Sequence, residues 1–477
     1  MTGTTPTPTP STLPTRSPPT NTTILISGAG IGGLFTALEC WRLGFTVRIL
    51  ERAAFSSAQG DSVTIGPSAL SSLRNWPWLH GRNLEITETP LLYYCNHRGE
   101  RLSGPIDMDA VVASGRVYMH ARPRLHEMLL TQLRACGVEV EYGRKVVGYY
   151  EDEGRGKGGV VVQGGERVEG DVVVAADGVH TRSWELVQGE EVGARSSGHG
   201  ILRAAFGVDV AMADEAVRER WPLEEGGRAV VELWVGPDVY CTFLRSKDRF
   251  TWTLTHPDHG TAEESWSHKV DVEEALKFTA KIPDFPDYAN RLIKLTPPDK
   301  LIDWKLMWRD PNSQWTSPGG RVIQLGDAAH SFLPSSGNGG TQAIEDAISL
   351  ATCLSLAHTT HQPLPLALRI HNLLRFERVS CLQAFGVLNR DARNTKNNDP
   401  KDKKHEVRLG KWIVEHDPEV YARERWDEAV RCVGEGREKE WRNGNVPKGM
   451  VYVPWTIDGL MEARGRGERT VLDGDWS

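Results

Sequence analysis

The chain contains 477 residues, of which 25% are charged and 39% hydrophobic, and its formal net charge is −7 at pH 7. These values are typical of a globular protein of two or three domains, and the acidic balance excludes the basic surface that nucleic acid requires. No apolar run approaches the roughly 18 residues of a membrane-spanning helix, and seven scattered cysteines without a CxxC pair predict a cytoplasmic protein with neither a disulfide framework nor a bound metal.

Residues 1–22 consist mostly of Thr, Pro and Ser. Such a segment cannot bury enough apolar surface to offset the entropy lost on ordering, so we expect a disordered tail. It also lacks the apolar core of a signal peptide. The folded part of the chain is therefore predicted to begin at residue 23.

Residues 24–33, with the sequence Ile-Leu-Ile-Ser-Gly-Ala-Gly-Ile-Gly-Gly, predict a strand, a glycine turn and the start of a helix. Gly28 allows a sharp turn, Gly30 leaves room for a pyrophosphate beside the backbone, and Gly33 lets the helix pack closely on the strand. Glu51 ends the next predicted strand, where an acid can bind the ribose hydroxyls. The pattern predicts dinucleotide binding; the alternative is an ordinary strand–helix turn with a surface glutamate.

Two further features precede residue 190. Arg122 and Arg124 begin a predicted amphipathic helix, where positive charge opposes the helix dipole, so one of them is expected to meet an anion unless both are solvated. The apolar strand at 171–176 ends in Asp177 and Gly178. An acid at the carboxyl end of a parallel strand lies where α/β sheets bind ligands, although Asp-Gly is also a common turn.

The pattern changes after residue 200. Residues 200–256 are rich in β-forming segments separated by turn signals at 236–238 and 247–248, which predicts an antiparallel sheet inserted into the α/β domain. Residues 262–295 are predicted to be helical.

A second glycine-rich strand–loop–helix follows. The strand at 321–326 leads into Asp327, a loop containing Pro334, Gly339 and Gly340 follows, and a helix is predicted from Thr341. Its start again offers N–H groups to an anion. Beyond it, residues 376–477 are predicted to form a helical, tryptophan-bearing region that serves for packing.

Taken in order, the glycine motif with Glu51, the Asp177-Gly178 pair and the Gly326-Asp327 pair resemble the class A flavoprotein aromatic monooxygenases, the group of the 4-hydroxybenzoate and salicylate hydroxylases. The segment GDAAHSFLPSSGNGGTQAIEDAISLATCL is most similar to salicylate-hydroxylase-like enzymes of fungal aromatic and polyketide pathways. The resemblance covers roughly residues 23–390. Two stretches depart from the usual pattern. Ser331 stands where a proline is common, and residues 337–341 read Gly-Asn-Gly-Gly-Thr where Gly-Gln-Gly-Ala-Asn is common.

The resemblance implies bound FAD and a role for each matching residue. Glu51 would bind the adenosine ribose, Arg122 would contact FAD, and Asp177 would lie near the pyrophosphate. Asp327 would bind the ribityl chain, and Pro334 with the amides around Gly339 and Gly340 would lie beside the isoalloxazine ring. The glycines of the first motif complete the predicted set, namely Gly28, Gly30 and Gly33.

The implied fold is an α/β, Rossmann-like FAD-binding domain of the 4-hydroxybenzoate-hydroxylase type, with an inserted antiparallel-sheet substrate domain and a C-terminal helical region. The FAD-binding domain is assigned to 23–75, 115–190 and 310–375. The substrate domain is assigned to 76–114 and 191–309, and the helical region to 376–477.

The implied reaction uses NADH or NADPH as a transient hydride donor to FAD. Reduced flavin and O₂ would form a C4a-hydroperoxide that hydroxylates a phenolic or polyketide-derived ring. A guanidinium or phenol near that ring would favour the ionised substrate, and the candidates on the inserted sheet are Arg203 and Tyr240. The alternatives are a surface arginine and a core tyrosine.

Other readings of the motifs stay open at this point. A flavin-dependent epoxidase acting on an alkene or terpenoid intermediate would share this fold, and a non-catalytic FAD-binding protein would share the cofactor motifs. The sequence does not distinguish NADH from NADPH, name the small substrate or give the oligomeric state.

Overall fold

A computed structural model of the protein describes residues 8–9, 12–56, 60–115, 117–190, 193–236, 239–260, 262–263, 268–394, 410–466 and 474–476. Part of the predicted turn at 236–238 lies outside these ranges. No helix within them combines the length and the hydropathy needed to cross a membrane.

The strands of the described residues are β1 (Thr23–Ser27), β2 (Thr46–Leu50), β3 (Ser62–Ile65), β4 (Thr87–Glu88), β5 (Leu91–Asn96), β6 (Arg101–Asp107), β7 (Tyr118–Ala121), β8 (Val140–Glu141), β9 (Val146–Asp152), β10 (Lys157–Val162), β11 (Arg167–Gly170), β12 (Val172–Ala175), β13 (Arg195–Gly207), β14 (Val230–Gly236), β15 (Val239–Arg245), β16 (Arg249–Pro257), β17 (Ile302–Trp308) and β18 (Val322–Gln324).

The helices of the same residues are α1 (Ile31–Arg42), α2 (Pro67–Leu70), α3 (Pro77–Ile86), α4 (Met108–Ala113), α5 (Arg122–Ala135), α6 (Trp184–Gln188), α7 (Val208–Ala211), α8 (Glu215–Arg220), α9 (Val272–Thr279), α10 (Asp287–Lys294), α11 (Gly339–Thr359), α12 (Leu364–Asn394), α13 (Lys411–Val414), α14 (Pro418–Gly434) and α15 (Ile457–Gly465).

A parallel sheet with the strand order β18-β12-β1-β2-β8 forms the centre of the α/β part. All of its described pairings are parallel. The residues of β12 are fully buried, as its continuous apolar sequence predicts for a strand covered on both faces. Apolar side chains of α1, α5 and α11 form the main core over this sheet. The Rossmann-like prediction is therefore confirmed.

A second sheet, with the order β17-β13-β16-β15-β14-β5-β6, forms the inserted layer. Strands β13 to β17 pair antiparallel, as the sequence predicts, whereas β5 joins β14 in parallel. One face of this sheet is closed by α8, α9 and α10. Leu202, Ala204 and Phe206 of β13 pack there with Trp252 and Trp221 in one buried core.

The prediction of a disordered tail over residues 1–22 is wrong for its last part. Ser17 N–H donates to the carbonyl of Arg42 at 2.8 Å. Arg16 Nε donates to the carbonyl of Trp41 at 3.1 Å, and its guanidinium carbon lies 5.1 Å from the centre of the Trp41 ring. Composition does not reveal this contact, because backbone groups and a single arginine form it rather than apolar side chains.

The predicted boundary between residues 375 and 376 falls inside α12, which is one continuous helix. The C-terminal region therefore begins within an element that also packs against α11 in the α/β part. The helix continues through residues 375 and 376, so the change of composition there does not mark the end of a secondary-structure element.

Candidate active site

Backbone hydrogen bonds align the carboxyl ends of the central strands. The N–H groups of Gly28, Ala176 and Leu325 donate to the last residues of neighbouring strands at 2.8, 2.9 and 2.9 Å. Since parallel strands end at the same edge of a sheet, this alignment brings Gly28, Asp177 and Asp327 to one edge, where α/β proteins bind ligands. Three motifs that are far apart in sequence therefore meet in space.

The first glycine motif has the geometry that its spacing predicts. Gly28 has a φ of +104°, and a Cβ placed on it would lie 2.3 Å from the carbonyl oxygen of Ala176. A Cβ on Gly33 would lie 2.0 Å from the carbonyl oxygen of Gly28. A Cβ on Gly30 would meet nothing within 4 Å in the part of the chain that the structure describes. Gly28 and Gly33 are thus required by close packing of the chain itself, whereas Gly30 borders open space.

Glu51 and His126 hold the glycine turn from two sides. Glu51 Oε2 accepts from Ala29 N–H at 2.9 Å, and its Oε1 accepts from Ala53 N–H at 2.8 Å. The Nε2–H of His126 donates to the Ala29 carbonyl at 2.8 Å, which fixes the tautomer because a carbonyl only accepts. Burial lowers the pKa of His126 and favours its neutral form. Sequence reasoning missed His126, whose only signal is its place one turn into α5.

Arg122 lies in a cluster of opposite charges beside this turn. Arg122 begins α5, and its backbone N–H donates to the main-chain carbonyl of Asp61 at 2.8 Å. Arg203 Nε donates to Asp61 Oδ2 at 2.9 Å, with a second, shorter contact between its Nη2 and Asp61 Oδ1. Burial lowers the pKa of Arg122, and the positive charge of Arg203 lowers it further. The negative charges of Asp61 and Asp327 act in the opposite direction. Arg124 instead points away and pairs with Asp248.

Asp327 follows the end of β18 at this edge of the sheet, and the solvent-exposed space beside it is called the cleft below. It is exposed to solvent although its neighbours Gly326 and Ala328 are buried. Protein atoms still surround much of the carboxyl group, and this burial raises its pKa, against the opposing charges of His330 and Arg122. A carboxylate placed in this way can accept hydrogen bonds from the hydroxyls of a ligand lying in the cleft.

Asp177 occupies the equivalent position after β12. The hydroxyl of Tyr149 donates to its Oδ2 at 2.6 Å. Burial raises the pKa of Asp177, while hydrogen bonds from Thr181 and Tyr149 oppose the shift. Gly178 follows with a φ of +85°, so the chain turns sharply out of the sheet. Tyr149, on β9, is a second contributor that the sequence motifs do not reveal.

The start of α11 lies at the same edge as the start of α1. A Cβ on Gly32 of α1 would lie 3.2 Å from the Cβ of Ala343, so the two helices touch near their N-termini. A 3₁₀ turn beginning at Pro334 precedes α11, which starts at Gly339 rather than at Thr341 as predicted. The side chain of its N-cap residue, Asn338, makes no capping hydrogen bond. Two helix N-termini therefore offer positive dipole ends to one cleft.

Arg203 and Tyr240 lie on the face of the inserted sheet opposite to α8–α10. Side chains alternate along β13, so Arg203 points away from the buried core formed by its neighbours. In the register of the sheet, Arg203 of β13 lies opposite Thr253 of β16, and Tyr240 of β15 lies opposite Thr255. Thr253 and Thr255 are two residues apart on β16, so their side chains share one face. The two predicted residues therefore share one face. The ion pair of Arg203 with Asp61 shows that this face is turned toward the α/β part.

Among the described residues, no group of three or more His, Cys, Asp or Glu side chains is arranged to hold a metal ion.

The sequence matches the family described as FAD binding domain over residues 21–363. The FAD-dependent monooxygenase dmxR9 of Cryptosporiopsis sp. is 40% identical over 98% of this chain and 92% of its own length. The FAD-dependent monooxygenase mdpD of Emericella nidulans is 41% identical over 100% of this chain and 94% of its own length. The crystal structure of CtdE in complex with FAD and a substrate aligns with a TM-score of 0.77 at 25% identity, covering 87% of this chain and 100% of that chain.

The chain belongs to the FAD-dependent monooxygenases. The class A flavoprotein resemblance is thereby confirmed, and a non-catalytic FAD-binding protein is no longer an alternative. The geometry of the chain agrees with the cofactor, since the space beside Gly30 is open while Gly28 and Gly33 are tightly enclosed. That combination fits a pyrophosphate lying against a bare backbone at a helix N-terminus.

We predict that alanine at two neighbouring glycines separates packing from FAD binding in this monooxygenase. Gly33→Ala would force a Cβ against the Gly28 carbonyl and destabilise the protein by about 1–3 kcal/mol, with or without FAD. A methyl group at residue 30 would meet no atom of the described residues within 4 Å, and Gly30 has an ordinary φ of −73°, so the FAD-free Gly30→Ala protein should keep its Tm. Its Kd for FAD should rise about tenfold or more, since the methyl group would fill the pyrophosphate space. Thermal melts and FAD titration measure both effects, and a Gly30→Ala protein with unchanged FAD affinity would place the cofactor elsewhere.

Asp327→Ala should lose FAD, because the variant removes an acceptor that faces the cleft without disturbing the buried residues on either side. The loss of a hydrogen bond from a ligand hydroxyl to a charged group corresponds to roughly tenfold or more in Kd. Asp327→Asn keeps an acceptor oxygen and should retain more FAD. The ratio of flavin absorbance to protein absorbance after purification reports occupancy, and full occupancy in Asp327→Ala would contradict the assignment.

Proposed function

We propose that this FAD-dependent monooxygenase hydroxylates a planar aromatic substrate that carries phenolic hydroxyls, with NADH or NADPH as the reductant and O₂ as the oxygen source. The supporting observation is the sheet face opposite α8–α10, which mixes hydroxyl groups with apolar side chains. In the register of the sheet, Thr242 of β15 lies opposite Thr253 of β16 on one side and opposite Leu233 of β14 on the other. Together with Tyr240 these residues could pack on an aromatic ring and hydrogen-bond its substituents.

The proposed overall reaction balances with one reductant per oxygen atom inserted. Substrate–H, O₂, NAD(P)H and a proton give substrate–OH, NAD(P)⁺ and water. One oxygen atom enters the new C–O bond and the other leaves as water, while the nicotinamide supplies two electrons as a hydride. When bound, FAD supplies the redox chemistry between the nicotinamide, O₂ and the substrate.

The residues of the chain would hold FAD along the edge already described. In this proposal Glu51 binds the ribose, Arg122 and Asp177 lie beside the pyrophosphate, and Asp327 binds the ribityl chain. The start of α11 would provide positive dipole ends to the isoalloxazine, where negative charge develops on reduction. The set is completed by Gly28, Gly30, Gly33, Pro334, Gly339 and Gly340.

Arg203 and Tyr240 would act on the substrate side. Arg203 keeps its guanidinium in an ion pair with Asp61, so we propose that it ties the substrate sheet to the cofactor domain. Tyr240 is half-buried on the same face, where its hydroxyl can bind a substrate oxygen. We also propose a reducing compartment, which the seven free cysteines support.

Substrate-stimulated oxidation of NADH or NADPH tests this proposal. Purified protein should show flavin absorption bands, and a panel of phenols, salicylates and polyketide phenols should contain compounds that accelerate the oxidation and gain one oxygen atom. Mass spectrometry with ¹⁸O₂ should place the label in the product. An accelerated reaction that yields an epoxide from an alkene, with no response to any phenol, would replace hydroxylation by epoxidation.

Tyr240→Phe removes a single hydroxyl from the proposed substrate face. We expect wild-type FAD content and Tm, with the product formed per NAD(P)H consumed falling about tenfold, since one hydrogen bond to an ionised group is worth about 1.5–3 kcal/mol. Tyr150→Phe is the matched control, because that hydroxyl bonds to Glu169 in a separate sheet. Equal coupling in the two variants and the wild type would remove Tyr240 from the proposed site.

A further inference from the structure

Four charged side chains lie buried directly behind the start of α11. Glu345 and Asp346 belong to α11, Arg375 and Arg378 belong to α12, and none is more than 1% exposed. Arg375 joins the two carboxylates, with Nη1 donating to Glu345 at 2.6 Å and Nε donating to Asp346 at 2.8 Å. Burial would raise the pKa of Glu345, but the adjacent Arg378 and Arg375 lower it, so the carboxylate is ionised.

Arg378 uses every N–H of its guanidinium. Its Nε and Nη2 donate to the two oxygens of Glu345 at 2.8 and 3.0 Å. The other three N–H groups donate to main-chain carbonyl oxygens of the C-terminal region. These belong to Trp412, at 2.9 Å, Asn445, at 3.0 Å, and Ile413, at 3.1 Å. Since a guanidinium has five such groups, no donor is left over. One side chain therefore joins α11 to two separate segments beyond α12.

Asp346 continues this connection to the turn that carries Asp327. Its Oδ2 accepts from Gly326 N–H at 3.2 Å and lies 2.6 Å from His330 Nε2. Gly326 and His330 flank Asp327 on either side in sequence. An unbroken series of buried contacts therefore leads from the C-terminal region through Arg378, Glu345, Arg375 and Asp346 to both ends of the Asp327 turn.

We propose that Arg378 is a positioning residue for the FAD site, through which residues 410–446 hold the Asp327 turn in place. The inference rests on the proposed contact between Asp327 and FAD. It gives residues 410–446 a role in positioning the FAD site, whereas their sequence predicts only that they serve for packing. Apolar packing tolerates small shifts of register, whereas a buried guanidinium with all donors engaged has one favourable position, because any displacement leaves a charge or a carbonyl unpaired.

Arg378→Lys tests the role of the fork geometry while keeping the positive charge, since an ammonium has three donors and cannot replace five. We expect the full-length protein stripped of FAD to show a Kd for FAD raised about tenfold or more, and the bound flavin to show shifted absorption bands. Arg369→Met is the matched control on the same helix. Its exposed ion pair with Glu438 at 2.6 Å should not affect FAD affinity.

A double-mutant cycle with Asp327→Ala separates positioning from a general loss of stability. If Arg378 acts through the Asp327 turn, the effect of Arg378→Lys on FAD affinity should shrink toward onefold once Asp327 is alanine. Independent, multiplying effects would overturn the inference, as would a folded Arg378→Lys protein with wild-type FAD affinity and unchanged flavin bands. Wild-type affinity in Asp327→Ala alone would overturn the proposed FAD contact, and the inference with it.

Folding of each variant is checked by circular dichroism before titration. Should Arg378→Lys fail to fold, Glu345→Gln takes its place in the cycle, since it removes the carboxylate charge and keeps the side-chain shape. The same two outcomes then apply: coupling to Asp327→Ala supports the positioning role, and independent effects contradict it.

Discussion

The parallel backbone ladder across β2, β1, β12 and β18 is the constraint on which the whole site depends. Its register decides which side chain follows each strand, and a slip of one residue would turn that side chain to the opposite face. Glu51, Gly28, Asp177 and Asp327 reach one edge because their strands end together. The inserted sheet and the helical region then only need to close over an edge that the ladder has already arranged.

The charged side chains at this edge form two layers that differ in their exposure to solvent. Beside the glycine turn, Arg122 and Arg203 are only partly buried, and Arg203 pairs with the carboxylate of Asp61. Behind α11, the arginines and carboxylates of the buried cluster satisfy one another and have little room for a further charge. Removing two ions from water is expensive, and apolar residues of similar size would often be as stable. The buried layer is therefore better explained by the geometry it imposes than by the stability it adds.

Local patterns and long-range contacts were not equally accessible from the sequence. The glycine spacing, the apolar strand before Asp177 and the strand before Asp327 were predictable, because each depends on residues within one strand–turn–helix unit. His126, Tyr149 and the pairing of Arg203 with Asp61 were not, since their partners lie in other elements and nothing in the local pattern marks them. The ordering of Arg16 and the continuity of α12 across residue 375 were missed for the same reason.

The residues that would choose the substrate are those that the fold constrains least. Along β13, Leu202, Ala204 and Phe206 are committed to the core under α8–α10, so changes there would cost stability. On the opposite face Arg203 is tied to Asp61, and Arg249 is tied to Glu88 and Ser62. Tyr240, Thr253 and Thr255 of the same face are only partly buried. If that face binds the substrate, as proposed, substitutions on it would change substrate contacts while leaving the buried core intact. One cofactor framework can in this way serve monooxygenases that act on different substrates.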